Sequence, residues 1–108
     1  MPVEKRWYKF TRENVQALPV GLRGIYQLAN VKKAIIDTGS SDSPRVGIRG
    51  RLLTHLRDKK YPTARYFRYL VAGTFDNPRD METRTILDHA RKHGHIPRYV
   101  KKFPKIPY

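Results

Sequence analysis

The strongest constraint on this chain is a pair of short apolar runs, Arg23-Gly24-Ile25-Tyr26-Gln27-Leu28 and Ile35-Ile36-Asp37-Thr38-Gly39-Ser40. Each holds a polar side chain and each is bounded by Gly, Asn or Lys, which is the pattern of two strands paired as a hairpin. The segments before and after read as what packs around it.

Residues 5 to 10 interleave cations and rings, Lys5, Arg6, Trp7, Tyr8, Lys9 and Phe10. Such a mixture can stack bases and contact phosphates, but it also serves as an apolar lead-in to a helix, and packing is expected of Trp7 and Phe10. Thr11 is a good N-cap, and Val15 and Leu18 give one apolar face before Pro19, so a short helix is expected over 12–18. After the hairpin, Gly39 to Gly47 is rich in Ser, Gly and Pro and reads as a loop. Ile48, Leu52, Leu53 and Leu56 then recur at helical spacing, with Arg51 and His55 together on the flank of that stripe. The helix should end near Lys59, ahead of Tyr61-Pro62.

Tyr66, Phe67, Tyr69, Leu70 and Val71 form a β-prone run expected to be a buried central strand. Asn77-Pro78 opens a last helix over 79–93, with Asp80 and Glu82 near the positive end of its dipole. Ile86, Leu87 and Ala90 should face the core, and Gly94 and Pro97 mark the exit. Glu82, Ile86, His89 and His93 share one sector of that helix. Glu82, His89 and His93 could take a transition metal, but no motif supports one, and a solvated face is expected of the histidines. The sum is one domain, residues 1–108, with a core over about 20–100. It is a small α/β fold with a three-stranded antiparallel sheet flanked by helices, and an extended basic tail over 101–108.

Charge narrows the function. Lys and Arg number 23 against 9 Asp and Glu, a formal net charge of +14 with an isoelectric point near 10.5. A chain this basic repels itself unless a polyanion neutralises it, so nucleic acid is the first partner to expect. Arg23, Arg45 and Arg49, with Lys101, Lys102 and Lys105 of the tail, are the candidate phosphate contacts. The chain has no cysteine, which excludes disulfides and thiolate metal sites. With charges at Glu4, Lys5 and Arg6 and no apolar run near the ~20 residues of a membrane span, a soluble intracellular protein is expected, with no membrane partner.

Several motifs in register resemble the GIY-YIG nuclease family. Gly24-Ile25-Tyr26 fits the first motif, the second strand ends in a glycine, and Arg51-Leu52 followed by His55 fits the family's helix with its catalytic arginine. Glu82, opening a helix that leads to Gly94-His95-Ile96-Pro97, fits the metal-binding glutamate. The resemblance runs from about residue 20 to residue 100. It implies a Mg²⁺- or Mn²⁺-dependent endonuclease on DNA, with RNA possible as a target and a protein partner possible as the source of specificity. By this resemblance Tyr26 acts as, or positions, the general base. Arg51 stabilises phosphoryl charge, His55 relays or orients a proton, and Glu82 holds the metal. There are three departures. Asp37 stands where the second tyrosine belongs, Val100 stands where an asparagine belongs, and the loop between Gly39 and Arg51 is long. Asp37 can supply a base or a second metal ligand, or mark a site kept only for binding nucleic acid in an RNA–protein assembly.

Ile35-Ile36-Asp37-Thr38-Gly39 also looks like the aspartic protease signature, in which two copies share a proton across an aspartate dyad. The helices expected after Gly47 and over 79–93 do not suit that nearly all-β fold, and the charge does not suggest a peptide groove.

Overall fold

The computed structural model describes residues 6–74 and 76–93. The hairpin forms as expected. Strand β2 (Gly24–Ala29) pairs antiparallel with β3 (Ile35–Ser41), and Asn30 closes the turn by accepting from the Lys32 and Ala34 amides, both at 3.0 Å. Every residue of β2 is buried, because β4 (Tyr66–Val71) lies along its other side.

The sheet has four strands rather than three. The aromatic-basic N-terminal segment contributes β1 (Tyr8–Lys9), which pairs antiparallel with β4 and gives the order β1-β4-β2-β3. Two residues are too few to show a strand period, so this pairing is invisible in sequence. It makes β4 an internal strand, as expected, but only Phe67 on it is fully buried. Strand β3 runs on to Ser41, so Gly39 and Ser40, expected to start a loop, belong to the ladder. Helix α1 (Arg12–Gln16) is shorter than expected, and Thr11 caps it by accepting from the Asn14 amide at 3.2 Å. Helices α2 (Gly47–Asp58) and α3 (Pro78–His93) follow. Gly94, Pro97, Val100, and Lys101, Lys102 and Lys105 of the tail lie outside the described residues.

Three layers result. Tyr26, Leu28 and Phe67 meet Val15, Ile48 and Leu52 from the α1 and α2 side. Ile25 and Leu70, pointing the other way by strand alternation, line a hollow with Met81 and Thr85 of α3. Each large apolar side chain buried in this way contributes roughly 1.5–3 kcal/mol. The register slips between Leu28 and Ala29, so that Leu28 faces Asp37 while Ala29 faces Ile35. Ile36 is the extra residue of a bulge. This lets Ile36 join the α2-side core while Asp37 stays on the Tyr26 face.

Gly39 sits directly opposite Tyr26, and a Cβ there would collide with the tyrosine ring and its hydroxyl. Gly39→Ala is therefore expected to destabilise the fold by about 1–3 kcal/mol, as overpacking does in a filled core. A denaturant midpoint unchanged from the parent would show that the ring can move aside.

Candidate active site

The sheet ends in a polar cleft of about 530 Å³, lined by Ser40, Ser41, Asp42, Ser43, Val46, Arg51, Arg79 and Glu82. It forms where the outer strand β3 runs out between the first turns of α2 and α3. Tyr26, buried on β2, sends its hydroxyl to His55 of α2, with 2.8 Å between Oη and Nε2, and Arg51 also hydrogen-bonds the phenol oxygen. The four-residue spacing thus places Arg51 and His55 against one tyrosine, with His55 turned inward and Arg51 exposed. His55 Nδ1 is buried without a hydrogen-bond partner, and Tyr61 stands edge-on to the ring at 4.9 Å between centroids.

Burial sets the electrostatics. It pushes Tyr26 up to about 12, with the Arg51 charge opposing and the Asp37 charge adding to the shift. It lowers His55 to about 4, helped by the Lys60 and Arg51 charges, so the imidazole is neutral at pH 7. Asp37 is held above its ordinary value by burial, against a hydrogen bond from Tyr61 and the charges of Lys60 and Arg51. Glu82 is likewise raised by burial, against a hydrogen bond from Ser40 and with the Asp37 charge adding to the rise. Tyr61 is raised by burial and by its bond to Asp37.

Tyr26, Asp37, Arg51, His55 and Glu82, picked out in the sequence, are therefore brought together. The basic candidates are not. Arg23 is engaged in a 2.7 Å ion pair with Asp42 and donates to the Asp76 carbonyl at 3.1 Å, clasping the β2 entry to the segments after β3 and before α3. Arg49 donates to the Gln16 carbonyl at 3.4 Å, on the α1 side of α2. Arg45 is exposed on the loop before α2. Ser40, Lys60, Tyr61 and Arg79 were missed. Each is an ordinary surface or turn residue in sequence, and only the Tyr61-Pro62 break drew notice.

His89 is buried at 8% exposure, not solvated, because it follows Thr83 and Ile86 on the face of α3 that packs on the sheet. Among the described residues no three His, Cys, Asp or Glu side chains come together as a metal cage. Glu82 is a hard carboxylate in the cleft, with the Asp37 charge near enough to raise its proton affinity, and it suits Mg²⁺, which takes one or two carboxylates and completes its shell with water and phosphate. Asp37-Thr38-Gly39 lies within a strand, with Asp37 buried and Gly39 under Tyr26, so a second copy's aspartate has no approach for a protease dyad. A second hollow, between α1 and α2, is lined by Arg12, Gln16, Leu53, Thr54, Leu56 and Arg57, without a carboxylate or imidazole. No helix among the described residues is long and apolar enough to cross a membrane.

A family model described as Domain of unknown function (DUF7508) matches residues 1–89. No curated protein and no solved structure matches the chain.

The neutral imidazole has a consequence for stability. Between about pH 4 and 6.5 the unfolded chain protonates His55 and the folded chain does not, so this group makes stability rise with pH. The raised Asp37 and Glu82 act in the opposite sense above their ordinary values, so the comparison must isolate His55. From pH 4 to 7 the parent should gain on the order of 2–3 kcal/mol relative to His55→Gln in urea unfolding. Parallel pH profiles for the two proteins would show that His55 is not a buried neutral base.

Proposed function

The chain belongs to the DUF7508 family, and from that premise we propose that it is a metal-dependent endonuclease of GIY-YIG type acting on DNA. The observation that carries this reading is that His55 and Arg51 both bond the buried Tyr26 hydroxyl, that the charges of Asp37 and Glu82 also act on it, and that Arg51 and Glu82 line one cleft of a strongly basic protein.

Each group has a place in phosphodiester hydrolysis. A phenol held near 12 cannot act as a base at neutral pH unless its own proton has somewhere to go. The neutral His55, its Nε2 2.8 Å from Oη, supplies that acceptor in the tautomer that carries its proton on Nδ1. As the attacking water forms its bond to phosphorus, its proton passes to Tyr26 Oη and the tyrosine proton passes to His55 Nε2. The bond to the leaving oxygen breaks, and that oxygen takes a proton from solvent. Arg51, exposed at the mouth and bonded to the same phenol, faces the non-bridging oxygens as charge builds on them. Glu82 and Asp37 would hold a divalent cation, Mg²⁺ or Mn²⁺, which when bound neutralises charge on the phosphate and the leaving oxygen. Arg79 and Ser40 orient Glu82.

Asp37 in place of the second tyrosine favours a second reading, a member of the fold that binds nucleic acid without cutting it. The two separate on mutation. Glu82→Ala and Tyr26→Phe should each lower Mg²⁺-dependent plasmid cleavage by about two orders of magnitude or more. DNA affinity should stay within about threefold, because the basic surface is untouched. A Glu82→Ala protein that cleaves as fast as its parent would refute the site. Absence of DNA or RNA cleavage by the parent across a wide Mg²⁺ and Mn²⁺ range would establish the binding-only reading.

A further inference from the structure

Helix α3 packs mainly on β2 and β3, and among the described residues β1 and the Tyr66–Arg68 end of β4 carry rings and cations on the same sheet face. Lys9 is the cross-strand partner of Tyr66, and the next position outward brings Trp7 against Arg68, whose guanidinium carbon lies 4.1 Å from the indole centroid. Arg68 is anchored from behind, because Nε donates to Gln27 Oε1 at 2.9 Å. At the hairpin turn the Lys33 ammonium stands 5.3 Å from the Tyr66 ring. Trp7 and Tyr66 are only half-buried, and Lys9 and Lys33 are exposed. Neither β1, β4 nor the 30–34 turn contains a single carboxylate.

We infer that this face is a second nucleic-acid surface that binds single-stranded DNA, with Trp7 and Tyr66 as base-stacking platforms and Lys9 and Lys33 as phosphate contacts. Two rings on neighbouring strands, offset by two residues, lie on the order of 8 Å apart, a reach suited to successive unpaired bases. Bases inside a duplex present no free face to a ring, so the surface selects unpaired strand. Among the described residues of β1, β4 and the 30–34 turn no carboxylate is available to read a 2′-hydroxyl, so DNA is the ligand assigned. The patch lies away from the Gly24 end of β2, where the cleft opens, by roughly 10 Å at the Trp7–Arg68 level and roughly 17 Å at Tyr66. Resting on the nuclease reading above, this assigns the substrate class: DNA with a single-stranded arm beside the bond to be cut.

Trp7 is the chain's only tryptophan, so its emission reports on this surface directly. The full-length protein in EDTA, titrated with an oligothymidylate of about twelve nucleotides, should show saturable quenching, whereas a duplex of equal length should bind with no change in emission. Trp7→Ala should weaken oligothymidylate binding, followed by anisotropy of a labelled strand, about tenfold or more, with duplex affinity unchanged. Should that variant fail to fold by circular dichroism, Lys9→Ala with Lys33→Ala should lower the single-strand salt slope by about 1.4. Oligothymidylate binding without quenching, equal quenching by duplex, tenfold tighter binding of oligouridylate, or an unaltered salt slope in the double variant would each overturn the inference. Because no cleavage is read, failure here leaves the active-site proposal standing. Loss of the active-site proposal likewise leaves these binding results intact.

Discussion

The Tyr26 ring, lodged against Gly39 on one side and bonded to His55 on the other, is the contact on which the arrangement depends. A phenol at 1% exposure must find a partner for its hydroxyl or forfeit on the order of 1–3 kcal/mol of desolvation. Meeting that need ties three elements together. Gly39 fixes the register of β3, because no other residue leaves room for the ring. His55 fixes the rotation of α2 about its axis, and Arg51, one turn earlier, is then aimed at the same oxygen. A structural requirement of the core and a chemical arrangement at the surface are thus met by one side chain.

Around this contact the charge distribution runs against the rest of the molecule. A protein of net charge +14 keeps two of its nine carboxylates, Asp37 within β3 and Glu82 on α3 beside Ser40, partly withdrawn from water. Burial penalises their ionised forms, and hydrogen bonds from Tyr61, the Thr38 amide and Ser40, with the flanking Lys60, Arg51 and Arg79, partly offset the cost. Such frustration is expected where folding is not the only demand on a residue. The neutral His55 belongs to the same design, since a charged imidazole in that position would lose its water and face Lys60 and Arg51, with Asp58 as a smaller opposing charge. Arg23, by contrast, closes a clasp with Asp42 and the Asp76 carbonyl and so holds the mouth of the cleft in shape.

Much of this was legible in the residues. Alternation around Tyr26 and Asp37, the helical stripe from Ile48 to Leu56, and the Asn77-Pro78 start of α3 are local signals, and each matched the element found. The grouping of Tyr26, Arg51, His55 and Glu82 was expected only through a family resemblance, because no spacing rule joins residues on separate elements. His89 was misjudged because a lone histidine on a mixed helix face does not reveal which neighbour covers it. Packing was expected of Trp7, but its partner Arg68 was not legible, since the pairing of β1 with β4 joins positions far apart in the chain.

By itself the sequence determined the hairpin, the two longer helices, the excess of positive charge and the exclusion of thiolate chemistry, all of which follow from composition and short-range period. Only the tertiary structure decided that the sheet has a fourth strand and that a bulge at Ile36 keeps Asp37 on the Tyr26 face. It alone brought Ser40, Lys60, Tyr61 and Arg79 to the carboxylates and set the rings and cations of β1 and β4 side by side on one face. The physical reason is that periodicity specifies which side of an element is apolar. Which polar side chains meet across elements depends on register and packing, and these are set by long-range contacts that no local window contains.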